Sequence, residues 1–177
     1  MVPEITIQCL DPQTAVSVRG LVESIAKPIV ETDSPTSEAQ LLKLYCQSVG
    51  IKRLSAQKRD ILVPNLRAVL RFEMDGPFVT YWSDSSEPSS YDIYRVANDP
   101  KSSRDISCIP LPEIINACID TVEQCGAIDR ESVAYAVGKT LGFNRAGTNI
   151  RETTEQAMAI AIRKGLLKDS DGTVTLP

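Results

Sequence analysis

The sequence predicts a mainly α-helical chain with small β-hairpins, an α+β protein built as two tandem winged helix-turn-helix units. Three observations lead there. Residues 141–176 read as a glycine stop, an amphipathic helix, a second glycine stop and a hairpin. Residues 49–82 read as a helix followed by another hairpin, and the two stretches align without a gap over most of their length.

Taken in order, residues 1–13 open with a short strand holding Ile5 and Ile7 and reach a turn at Asp11-Pro12. From Thr14, residues Val18, Leu21, Val22, Ile25 and Ala26 recur at helical spacing. Pro28 sets the expected end of that helix near Lys27, because proline disfavours helical geometry in the residue before it. A second helix is expected from Ser34-Pro35-Thr36-Ser37-Glu38, with Ser34 as cap, proline at the first position and an early acid. Its apolar set, Leu41, Leu42, Leu44, Tyr45 and Val49, runs up to Gly50. Residues 51–70 should form a third helix burying Ile61, Leu62, Leu66, Val69 and Leu70. Pro64 falls inside it, and a mid-helix proline costs about 3 kcal/mol, so a kink or a helix start at Pro64 is expected. Arg71–Met74, Asp75-Gly76 and Pro77–Trp82 read as a hairpin. The first unit therefore spans residues 1–82.

Residues 83–109 form the connecting region. Ser83–Ser90 is polar and serine-rich, and Tyr91–Val96 is expected as a short strand returning to the preceding hairpin. The second unit spans residues 110–177. Pro110-Leu-Pro112 opens a helix with Ile114, Ile115, Cys118, Ile119 and Val122 on one side, closed by Gly126. Asp129 caps the next helix, which presents Val133, Ala134, Val137 and Leu141. Gly142 and Gly165 stop helices, since glycine takes the left-handed conformation of a C-terminal cap. Between them Ile150, Thr154, Ala157, Met158, Ala161 and Ile162 mark a buried face, and an Asp171-Gly172 turn then joins two strand-like runs.

Composition narrows the chemistry. Net charge is −4, too mild and of the wrong sign for a surface that coats nucleic acid throughout. The five cysteines (Cys9, Cys46, Cys108, Cys118, Cys125) form no CxxC pair and suit a reducing cytoplasm, with Cys118 and Cys125 expected as buried structural thiols. No apolar run approaches the roughly 20 residues of a membrane span. Histidine is absent, which removes Ser-His-Asp triads and HExxH zinc sites. There is no GxxxxGK[ST] loop for nucleotide phosphates. Asp169 and Asp171 read as turn residues beside Gly172, not as a metal pair. No catalytic residue, metal or cofactor is expected.

Laying Val49–Leu70 over Leu141–Ile162 requires a constant offset of 92 residues. Gly50 then matches Gly142, Arg53 matches Arg145 and Arg59 matches Arg151, while the offset at the two Asp-Gly pairs is 96. Arg145 and its counterpart are expected to close the turn before the helix. The run LGFNRAGTNIR (141–151), with PEI at 112–114 and AIRKGLL at 161–167, resembles the uncharacterised C-terminal domain of large bacterial superfamily-one helicase/nuclease-like proteins. The resemblance is carried by residues 110–177; the first half is similar to the more divergent companion unit of those proteins. It implies an accessory, non-catalytic role beside helicase or nuclease domains, in cis or in trans.

Charge distribution suggests where nucleic acid would be met. Residues 35–82 hold seven basic and four acidic side chains, whereas residues 110–177 hold seven and nine. The basic excess lies at Lys52, Arg53, Lys58, Arg59, Arg67 and Arg71. In a helix-turn-helix the second helix of the pair enters the major groove, which adds Asn149, Arg151, Gln156 and Arg163 as candidates in the second unit. Duplex DNA is the expected ligand. A protein-interaction or self-association module without DNA binding is the alternative, and it suits the acidic second unit.

Overall fold

Val18, Val22, Ala26 and Val30 are all buried at four-residue steps, and they define the inner face of helix α1 (Ala15–Asp33). The computed structural model describes residues 15–96 and 104–177, so the expected strand at Ile5–Ile7 and the Asp11-Pro12 turn lie outside the described residues. α1 does not end at Lys27. It runs through Pro28, because Val30 one turn on is buried and the turn that loses a hydrogen bond, from Ser24 to Pro28, is on the exposed side.

The rest of this first unit is β1 (Thr36–Ser37), α2 (Glu38–Ser48), α3 (Ala56–Val69), β2 (Arg71–Asp75) and β3 (Phe78–Trp82). The cap of α2 is Ser37, whose hydroxyl accepts the Gln40 N–H, and not Ser34. Thr36 and Ser37 first pair with Tyr81 and Thr80, so the chain is extended where a helix start was expected. α3 begins at Ala56 under a Ser55 cap and also passes through its proline, Pro64, with Asp60 and Pro64 both exposed. Leu41, Tyr45, Leu62 and Leu66 from α2 and α3 join the α1 stripe and Tyr81 in one core.

Ser83–Ser86 does not hang free of this unit. The Ser34 hydroxyl accepts the Ser83 N–H at 3.0 Å and shares a hydrogen bond with Ser86 Oγ, while Lys27 pairs with Asp84 at 2.8 Å. The division between the two compact units falls between Pro88 and Ser89.

In the second unit Tyr91–Val96 makes no strand; it has no regular secondary structure and is hydrogen-bonded to α4 (Leu111–Cys125). Its backbone groups are taken up by that helix's side chains instead of a ladder. Asn116 Nδ2 donates to the Tyr91 and Ile93 carbonyls, and the Arg95 N–H donates to Glu113. Then follow β4 (Ala127–Asp129), α5 (Arg130–Thr140), α6 (Thr148–Arg163), β5 (Lys168–Ser170) and β6 (Thr173–Thr175). Asp129 caps α5 by accepting the Ser132 N–H. The hairpin turn has Asp171 at φ 52° and Gly172 at φ 82°, the paired left-handed conformations that an Asp-Gly turn supplies. Cys118 is buried as expected, but Cys125, at the last position of α4, is exposed.

Both units thus run helix, strand, helix, helix, hairpin, and both sheets place the short first strand beside the last one: β1-β3-β2 and β4-β6-β5. α2 and α5 start 92 residues apart, as do α3 and α6. At the hairpins the offset is 95 and not 96. The two-residue turn is Gly76-Pro77 in one unit and Asp171-Gly172 in the other, so Asp75 corresponds to Ser170.

Candidate nucleic-acid interface

The connection from α2 to α3 is short and closed. The Ile51 N–H donates to the Cys46 carbonyl at 2.8 Å, ending α2, and Ser55 Oγ accepts the Lys58 N–H to begin α3. This leaves Lys52 and Arg53 exposed on the turn and sets Lys58 and Arg59 on the first turn of α3. Between them is a cleft of about 420 Å³, lined by Lys43, Lys52 and Arg59 over Leu42, Ile51 and Leu54, with no carboxylate on its wall. Cys46 is also on its floor, where burial pushes the thiol's pKa up against the opposing pull of the Lys58 charge.

The arginines of α3 divide into two kinds. Arg67 donates to Glu38 Oε2 through Nη2 at 2.7 Å and through Nε at 3.2 Å, and Tyr81 adds its hydroxyl at 3.3 Å. It also lies over the Phe72 ring, 5.9 Å from the centroid. The bonds to Glu38 raise the Arg67 pKa, and burial raises that of Tyr81, with the Glu38 charge adding to it. Arg59 meets Glu38 only at 3.4 Å, and its side chain is 59% exposed. Arg71, at the start of β2, donates to the Ser86 carbonyl at 2.9 Å. Lys52, Arg53, Lys58 and Arg59 therefore form one cationic group at the α2–α3 corner, while Arg67 and Arg71 are engaged elsewhere.

In the second unit a cleft of about 500 Å³, which overlaps the matching position only in part, has a different character. Asp129, Glu131 and Glu155 line it beside Ser132, Tyr135 and Arg151. Tyr135 stands where Lys43 stands in the first unit, and Arg151 where Arg59 stands. Arg151 turns its Nε to the Ala146 carbonyl at 3.0 Å, so it closes the turn before the helix, and Arg145, expected in that role, is exposed. Asn149, Gln156 and Arg163 follow one another at seven-residue steps on the exposed side of α6. Comparison of the chain with protein-family models, with curated proteins and with solved structures finds no match.

The first residue of the second helix ties each unit together, with reversed polarity. Glu38 accepts from Arg59 and Arg67 of α3; Arg130, its counterpart 92 residues on, donates to Glu155 of α6 at 2.8 Å and to Asp169 of β5 at 2.6 Å. Neither partnership is apparent from residue spacing alone. Nor is the fully buried Glu113, gripped by Arg95 Nε at 2.8 Å and Arg104 Nη2 at 2.6 Å. Burial works to raise the Glu113 pKa, but the bonds from Arg104 and Arg95 outweigh it and hold the carboxyl below its ordinary range. A signal was present: Glu113, Ala117 and Thr121 lie at four-residue steps on the buried side of α4, and a carboxylate on such a stripe needs cations from elsewhere. Among the described residues no cluster of His, Cys, Asp or Glu could hold a metal ion, and no helix is long and apolar enough to cross a membrane.

Proposed function

We propose that the chain is a non-catalytic accessory module of two winged helix-turn-helix units that binds duplex DNA through the first. The observation that carries this reading is the α2–α3 corner, where Lys43, Lys52 and Arg59 line a cleft without a carboxylate and Arg53 and Lys58 adjoin them. In this reading α3 is the groove-facing helix and the β2–β3 hairpin is the wing. Phosphate contacts supply most of the affinity, and they come from lysines, arginines and helix N-termini such as that of α3. The second unit is unsuited to the same role, because Asp129, Glu131 and Glu155 surround its one cleft arginine. The likeness of residues 110–177 to the terminal domain of helicase/nuclease-like proteins supports a partner of that type, in cis or in trans. A gel shift with duplex DNA should be salt-sensitive, and charge reversal of Lys58 and Arg59 together should abolish it. A chain that ignores duplex DNA at low salt would end this reading.

A second reading, a protein-interaction or self-association module, is favoured by the acidic cleft of the second unit and by Tyr135 at its edge, 54% exposed. Light scattering showing a strict monomer, together with no loss of any partner on Tyr135→Ala, would count against it.

A further inference from the structure

We infer that the α2–α3 cleft of the first unit takes one unpaired nucleotide of a DNA strand, a reading that rests on nucleic-acid binding by that unit and specifies its ligand. A surface that only follows a duplex backbone needs cations alone. Here the cations ring a concavity whose floor is apolar: Leu42 is buried, and Ile51 and Leu54 are half-buried and reach the cleft. Phosphate would leave that floor unused, whereas a base has two apolar faces to set on it, and extruded bases are held between apolar or aromatic side chains. At about 420 Å³ the cleft is of the size that holds small molecules.

Each part of a nucleotide finds a suitable group. Lys43 and Lys52 supply charge for the phosphate, and Gln47 at the rim carries both a donor and an acceptor for a base edge. Arg59 has a planar guanidinium that can stack on a base or bond a phosphate. It is also the cation that can leave Glu38 without orphaning it, since Arg67 holds the same carboxylate at 2.7 Å. The partly overlapping cleft of the second unit lacks this set, with Tyr135 for Lys43, Glu131 for Ala39 and Arg151 turned to the Ala146 carbonyl. The second unit therefore does not repeat this site among the described residues.

The test is fluorescence anisotropy on the full chain with three labelled probes at one salt concentration: a blunt duplex, that duplex with a short unpaired tail, and the same tail with its bases removed. The tailed duplex should bind about fivefold or more tighter than the abasic-tailed one, the order of a single base contact. Ile51→Ser should bring the intact and abasic tails to equal affinity, because it removes part of the apolar floor on which a base would rest. Equal affinity for intact and abasic tails overturns the inference and leaves duplex binding standing. Equal weakening of all three probes by Ile51→Ser also overturns it. If none of the probes binds at low salt, the nucleic-acid reading falls, and this one with it.

Discussion

A carboxylate taken out of water is stable only when charge or hydrogen bonds replace what it loses, and Glu113 shows how completely that can be arranged. Its oxygens receive two guanidiniums and a backbone N–H, and the bonds from Arg95 tie the 91–96 segment to α4. Glu113→Gln leaves Arg95 and Arg104 facing a neutral amide, and we expect a loss of about 3–5 kcal/mol in urea unfolding, as for other broken buried pairs. The pH dependence has a definite sign. An unfolded glutamate titrates at about 4.3, and folded Glu113 titrates lower, so on acidification the unfolded chain takes up the proton first. The pair's contribution is therefore whole above about pH 5 and is lost as pH falls through the depressed folded value. The arginines of α3 should separate by assay. Arg67→Ala should cost about 1.5–3 kcal/mol of stability, the range for charged hydrogen bonds. Arg59→Ala, an exposed pair at 3.4 Å, should change stability by less than about 1 kcal/mol and weaken DNA binding. The cations themselves were legible in the sequence. Their partners were not, because Glu38 and Arg67 are brought together by folding across 29 residues.

At the scale of elements, the apolar stripes, the glycine stops and the Asp129 cap identified the six α-helices among the described residues, and most of the core they bury. Prolines misled. Pro28 and Pro64 mark boundaries by local geometry, yet each helix continues because its next apolar residues, Val30 and Leu66, are buried. Pro28→Ala restores a backbone donor on the exposed side and should raise the unfolding free energy by up to about 3 kcal/mol, read as a higher urea midpoint. Ser55→Ala should do the reverse, by about 1 kcal/mol, by removing the acceptor that starts α3. The strands β1 and β4 escaped notice because they are two and three residues long and exist only through pairing with hairpins far along the chain.

Across the whole chain, the repeated order of elements was visible as a gapless match, since helix starts and capping residues sit at one offset. The limits of the connecting region were less visible. A serine-rich stretch has the composition of a flexible linker, but Ser83 and Ser86 use their polar groups on Ser34. A fragment ending at Trp82 should accordingly unfold at lower urea than one ending at Pro88, because the first lacks the Ser34 contacts and the Lys27–Asp84 pair. The two units also carry different charge at these corners, so the proposed DNA contact is assigned to the first alone. The most direct measurement is the affinity of the full chain for duplex DNA across a salt series, with Lys52→Glu/Lys58→Glu set against Arg151→Glu/Arg163→Glu. With Lys43, Lys52, Arg53, Lys58 and Arg59 engaged, log affinity should fall against log salt with a slope between about −3 and −5. The first pair of substitutions should remove binding and the second should leave it nearly intact. A slope near zero, or binding that is lost with the second pair and kept with the first, would contradict the account.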